Sequence, residues 1–131
     1  MSLETEIYTQ LSGYSGMSAL VGSSPARIYP VVIPQNSTMP AMSYQRISSQ
    51  PVSAMGADTA AVRTRVQVSI FAENFSKTGN ALAVRDKVVA ALTRYRGGTI
   101  QDCFRENEQH DFDSDPKFYR IILDFIFWHT A

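Results

Sequence analysis

The sequence predicts an α+β fold: one domain over residues 1–131, elements in the order α-β-β-β-α-β-β, and two helices packed on a mostly antiparallel sheet. Three observations predict it. Two stretches repeat apolar residues at helical spacing, Leu3-Ile7-Leu11 and Ala81-Val84-Val88-Leu92-Tyr95. Ala61 to Ala72 alternates with period two, Val62, Thr64, Val66, Val68 and Ile70 on one face and Arg63, Arg65, Gln67 and Ser69 on the other. Phe118 to His129 is apolar on both faces, as in a central strand or an interface.

At the N-terminus, Ser2 is a good helix cap and Glu4 and Glu6 suit the positive end of the helix dipole, so residues 3 to 12 read as an amphipathic helix. Gly13 and Gly16 interrupt it, and Met17 to Val21 adds one turn stopped by Gly22. Ala26 to Ile33 is β-rich but bracketed by Pro25 and Pro34, with Pro30 inside, which makes it an edge or irregular strand. Pro34 to Pro40 reads as loop, and Ala41 to Ser48 as a strand around Met42, Tyr44 and Ile47.

Ser49 to Asp58 is small and polar, and reads as a long turn or projecting hairpin tip. After the alternating strand, Ser76 caps a helix of about five turns, its stripe broadened by Leu82, Val89 and Ala91. Arg94 and Arg96 suit its negative end, and Gly97-Gly98 stops it. Thr99 to Glu106 is a strand. Glu106 to Pro116 is an acidic loop leading into the last strand, where Tyr119, Ile121, Leu123, Phe125 and Phe127 make one face and Phe118, Ile122, Ile126 and Trp128 the other.

Composition narrows the function. Net formal charge is zero and the pI is about 6.7, whereas a domain that grips nucleic acid through phosphates should be basic. The first 58 residues hold only Arg27 and Arg46 against Glu4, Glu6 and Asp58, so charged faces belong to the second half. The single cysteine, Cys103, permits no internal disulfide. The first residues lack the basic start and apolar run of a signal peptide, and no charge-free apolar stretch, Phe125 to Trp128 included, is long enough to span a membrane.

Candidate chemistry is sparse. Asp111, Asp113 and Asp115 copy the first three ligand positions of a calcium loop, but Pro116 stands where glycine is needed and Ile122 where the closing glutamate belongs. His110 and His129 are the only histidines, which excludes a three-histidine zinc site. Cys103 sits in strand alternation and reads as a buried structural thiol. No nucleophile elbow or phosphate-binding glycine loop occurs, and no cofactor is implied. Arg63 and Arg65 could pair across strands with residues such as Asp124. The sharper alternative is a phosphate-binding face with Phe71, Phe118 and Trp128 stacking on bases, which would make the chain a nucleic-acid-binding α+β module. Ile122, Ile126 and Trp128 form surplus apolar surface of the kind that marks protein interfaces.

Several segments in order resemble one family. They are Ser2-Leu3-Glu4-Thr5 leading a helix to Leu20-Val21-Gly22, then Arg27-Ile28-Tyr29-Pro30, then Met39-Pro40-Ala41-Met42-Ser43-Tyr44-Gln45-Arg46-Ile47-Ser48. Arg63-Thr64-Arg65-Val66-Gln67-Val68, the alanine-rich helix Ala81 to Ala91, and Tyr119-Arg120 through Phe127-Trp128-His129 follow. This pattern is similar to the tail-completion (tail-terminator, head–tail joining) proteins of long-tailed bacteriophages and related gene-transfer particles. The resemblance implies a virion structural subunit, made in the host cytoplasm, with no catalytic residues. It implies a homo-oligomeric, hexameric ring that caps the major tail tube protein, docks onto the head connector or stopper protein, and lets DNA pass without sequence-specific binding. On that expectation Ile122, Ile126, Trp128, Arg63 and Arg65 belong to the subunit interface. Pro51, Met55 and Gly56 mark a partner-docking loop, and Glu106, Glu108, Asp111, Asp113 and Asp115 an acidic loop at the lumen or an axial rim.

Overall fold

Apolar stripes on helices and one apolar face per strand can be buried together only if the helices lie on the sheet. The computed structural model does this; it describes residues 3–22, 26–33, 40–54, 57–73, 81–114 and 117–130. The elements are α1 (Leu3–Gly13), α2 (Ser18–Val21), β1 (Ile28–Pro30), β2 (Ala41–Ala54), β3 (Ala57–Ala72), α3 (Ala81–Leu92), β4 (Ile100–Ser114) and β5 (Lys117–Thr130). The strands form one five-stranded sheet in the order β1-β2-β3-β5-β4. Only the β1–β2 pair is parallel; the others are antiparallel. The expected α+β class and element order are therefore found, with the short turn after α1 counting as a third helix.

The core lies between one sheet face and the helices. Ile7 and Leu11 of α1 and Val84, Val88 and Leu92 of α3 join Val66, Val68 and Ile70 of β3 and Ile121, Leu123, Phe125 and Phe127 of β5 in one buried cluster. The period-two reading of β3 holds from Thr64 to Ile70 and the inward face of β5 from Ile121 to Phe127, with Val62 and Tyr119 half-buried at the ends. The two long helices are also tied by a polar contact, the Gln10 side-chain amide donating to the Ala91 carbonyl at 3.0 Å. Arg27, first residue of the Arg-Ile-Tyr-Pro segment, donates to the carbonyls of Pro40 and Leu20, both at 2.9 Å, and so pins the chain entering β2 to the end of α2.

Four boundaries differ from expectation. The first strand is Ile28–Pro30 rather than Ala26 to Ile33, because Val31 turns the backbone into the left-handed region at φ 66°. Helix α3 ends at Leu92, short of Tyr95: Arg94 adopts φ 61° and donates its N–H to the Cys103 carbonyl at 2.7 Å, so β4 captures the chain before Gly97-Gly98. Those glycines instead form the tight turn into β4, closed by paired Gly97–Ile100 backbone bonds of 3.0 and 2.8 Å. Ser49 to Asp58 and Glu106 to Pro116 are largely strand and not loop, since β2 pairs with β3 out to Ala54↔Ala57 and β4 with β5 out to Ser114↔Lys117. Both segments are polar because edge strands and two-stranded arms meet water, which removes the apolar alternation that identifies a strand. The caps expected at Ser2 and Ser76, and Pro25, Pro34, Met39, Met55, Gly56, Asp115 and Pro116, lie outside the described residues, as do residues 77–80 of the expected helix.

Because β5 is antiparallel to β3, the two hairpin ends point in opposite directions. Ala61 pairs with Thr130 at one end and Ala72 with Tyr119 at the other. Residues 57–60 of β3 run on beyond Thr130 with β2 as their one neighbouring strand among the described residues, an overhang of roughly 13 Å at strand rise.

Candidate functional site

The expected interface residues share one face of the sheet, opposite the helices. Register places Arg63 beside Trp128 and Arg65 beside Ile126, with Ile122 further along the same face of β5. The structure thus brings all five together. It also shows how little of the two isoleucines is left to offer: Ile122 is 9% and Ile126 5% exposed within one chain. Their cross-strand neighbours, Ser69 and Gln109 for Ile122, Arg65 and Phe104 for Ile126, flank them closely enough to cover them. Trp128 is half-buried.

Arg65 donates to the Asp124 carboxylate at 3.1 Å, realising the cross-strand pair. Asp124 is buried, and its second oxygen has no hydrogen-bond partner among the described residues. Arg120 pairs not with this group but with Asp111, also at 3.1 Å. The charge available to a phosphate on this face is reduced accordingly. Among the described residues the exposed aromatic there is Phe104, its ring covered on one side by the Arg94 guanidinium 4.6 Å away, which in turn bonds Asp102 at 3.0 Å.

The acidic segment is similarly compensated. Glu108 meets Arg105 at 3.1 Å and Arg85 of α3 at 3.6 Å, and bonds His110 as well. Glu106 is exposed on β4, Asp113 is strand backbone, and Asp115 lies outside the described residues. No group of three metal-binding side chains occurs among the described residues, and none of their helices is long and apolar enough to cross a membrane. Of the expected docking residues, Pro51 is exposed on β2 opposite Val62, while Met55 and Gly56 lie outside the described residues.

One polar constellation escaped the sequence reading. His129 Nδ1 lies 3.0 Å from the Thr130 carbonyl, which can only accept, so Nδ1 donates there, while Nε2 pairs with the Thr64 hydroxyl at 2.7 Å. The Thr64 hydroxyl in turn bonds that of Ser49 at 3.0 Å, and Ser49 accepts from Arg46 at 3.1 Å. Thr64 and His129 are buried, so no substrate reaches this hydroxyl–imidazole pair; the chain of bonds ties β2, β3 and β5 together. The signal was parity: Thr64 and His129 occupy core-facing positions among valines and phenylalanines. Cys103 is likewise inert, since burial, and secondarily Asp102, push its thiol well above the ordinary range.

No curated protein matches the sequence. A chain from the virion of a native gene transfer agent particle has the same fold, with a TM-score of 0.73 over 99% of this chain and 96% of that one, at 16% identity. The model of the family "Tail completion protein gp17" matches residues 5–130, and the chain belongs to that family, whose members are structural components of the virion tail.

Proposed function

We propose that this chain forms a ring that caps the tail tube and joins it to the head connector, leaving a central passage for DNA. The observation that carries the reading is the pair of long hairpins leaving opposite ends of one sheet in a tail-completion protein. A joint between two structures needs two docking ends, and a sheet holds them at a fixed separation.

In this reading six copies close a head-to-tail ring, which requires each copy to offer two different surfaces. The face bearing Ile122, Ile126, Trp128, Arg63 and Arg65 borders the subunit contact. The β2–β3 arm, with Pro51, Met55 and Gly56, docks on one axial partner, the head connector (stopper) protein or the major tail tube protein. Glu106, Glu108, Asp111, Asp113 and Asp115 lie toward the lumen or an axial rim, where carboxylates repel DNA phosphates that arginines would hold.

The test is complementation. Particles made without the chain should accumulate as separate filled heads and tails, and adding purified protein should join them. Normal infectious particles without the chain would refute the joining role, and a reconstruction with a single copy at the head–tail junction would refute the ring.

A further inference from the structure

Among the described residues, the exposed large apolar side chains are Val31, Val32, Ile47 and Phe104. They occupy the two lateral margins of the sheet. Ile47 lies on β2, whose outer side β1 covers only from Met42 to Tyr44, and Val31 and Val32 follow β1 directly. Phe104 lies on β4, the opposite edge strand.

The Val31–Val32 knuckle is held in a costly shape. Val31 has φ 66°, and the Val32 N–H donates to the Pro30 carbonyl at 2.7 Å, closing a three-residue turn. A β-branched residue strains in this region, where glycine or asparagine would relax. The Val31 N–H donates to Tyr44 at 2.9 Å and fixes the turn to β2. Yet Val31 and Val32 remain 56% and 70% exposed, so burial within the chain does not offset the strain. Strain and exposed apolar surface at one rigid point mark a contact made outside the chain.

The two margins lie on opposite edges of one sheet, so a copy can present each to a different neighbour, as a head-to-tail ring requires. Charges along them are met within the chain, Arg46 by Glu4 at 2.7 Å, Glu108 by Arg105 at 3.1 Å and Asp111 by Arg120 at 3.1 Å, which leaves the exposed apolar side chains to carry the contact. The register shifts at Arg46/Ser48 and Arg105/Asn107 break the outer backbone rows of both strands, so a contact rests on side chains and not on a continuous hydrogen-bond ladder.

We infer that the Val31, Val32 and Ile47 margin of one copy packs against the Phe104 margin of the next copy. This rests on the ring reading and places its contact at the sheet's edges, continuous through Phe104 with the Ile126 and Trp128 face.

Paired cysteines test it. A Val32→Cys/Phe104→Cys chain, oxidised mildly in assembled particles, should give a ladder of disulfide-linked oligomers, and each single variant should give none. Buried Cys103 stays out of the reaction. Dimers from Val32→Cys alone would overturn the inference, because they show a like-to-like contact. No ladder, with copies still joined by an amine-reactive cross-linker, overturns the margin contact and leaves the ring; no joining by either reagent overturns the ring as well. Val32→Asp gives an independent readout: a folded chain that no longer enters particles is expected, and normal incorporation overturns the contact.

Discussion

Glu6 and Thr99, 93 residues apart, are clamped together: one oxygen of the Glu6 carboxylate accepts the Thr99 backbone N–H at 2.7 Å and the other accepts its hydroxyl. The clamp fastens α1 to the turn that starts β4. It also dictates the residue before Thr99. Gly98 has φ 55°, and a Cβ there would collide with the Glu6 carboxylate. Glu6→Ala should cost about 1–3 kcal/mol, the usual range for unsatisfied buried partners. Gly98→Ala should cost at least as much, through backbone strain and the clash. The double variant should lose less than the sum of the two, because removing Glu6 makes room for the new methyl. Additive losses in denaturant melts would show that the clash is absent.

Thr64→Val keeps the shape of the side chain and removes the hydroxyl between Ser49 and His129. It should cost about 1–3 kcal/mol, leaving His129 Nε2 buried without its hydroxyl partner. Thr64→Ser should cost less. A loss below about 0.5 kcal/mol for the valine variant would mean that the bond chain contributes little.

Asp124→Leu should leave stability unchanged or raise it by up to about 1 kcal/mol. The carboxylate is buried with one oxygen unpartnered, while Arg65 is exposed enough to return to water. A clear drop in the melting midpoint would show that the Arg65 pair outweighs the burial penalty.

Cys103 should resist iodoacetamide in the native chain at mildly alkaline pH, reacting at least about a hundredfold slower than in denaturant. Burial raises the folded thiol above its ordinary value of 9.0. The unfolded thiol therefore releases its proton first as pH rises, so this contribution to stability is present below that value and declines above it. Rapid native alkylation would place the thiol at the surface.

Deleting Ala54 to Gly56 shortens the β2–β3 arm beyond the sheet, away from the core. The far-UV spectrum and melting midpoint should stay close to those of the intact chain, with a change within about 0.5–1 kcal/mol. Tails carrying the variant should fail to join heads. Normal joining would remove the arm from the docking surface.

The alternation of Val62 to Ile70 and the stripe Val84-Val88-Leu92 determined, by themselves, which faces are buried, because period and polarity are local properties of the chain. Local pattern also sufficed for the element order and for the family resemblance across Arg27-Ile28-Tyr29-Pro30 and Tyr44-Gln45-Arg46. Only the tertiary structure decided that Gln50 and Glu108 are strand residues, since they pair with Arg63 and Leu123, partners that a polar sequence does not announce. It alone joined Glu6 to Thr99 and His129 to Thr64, and closed Ile122 and Ile126 under their cross-strand neighbours. These relationships depend on which strands lie side by side, and pairing across such sequence distances is set by the whole sheet's packing against its helices, not by any segment's own preference.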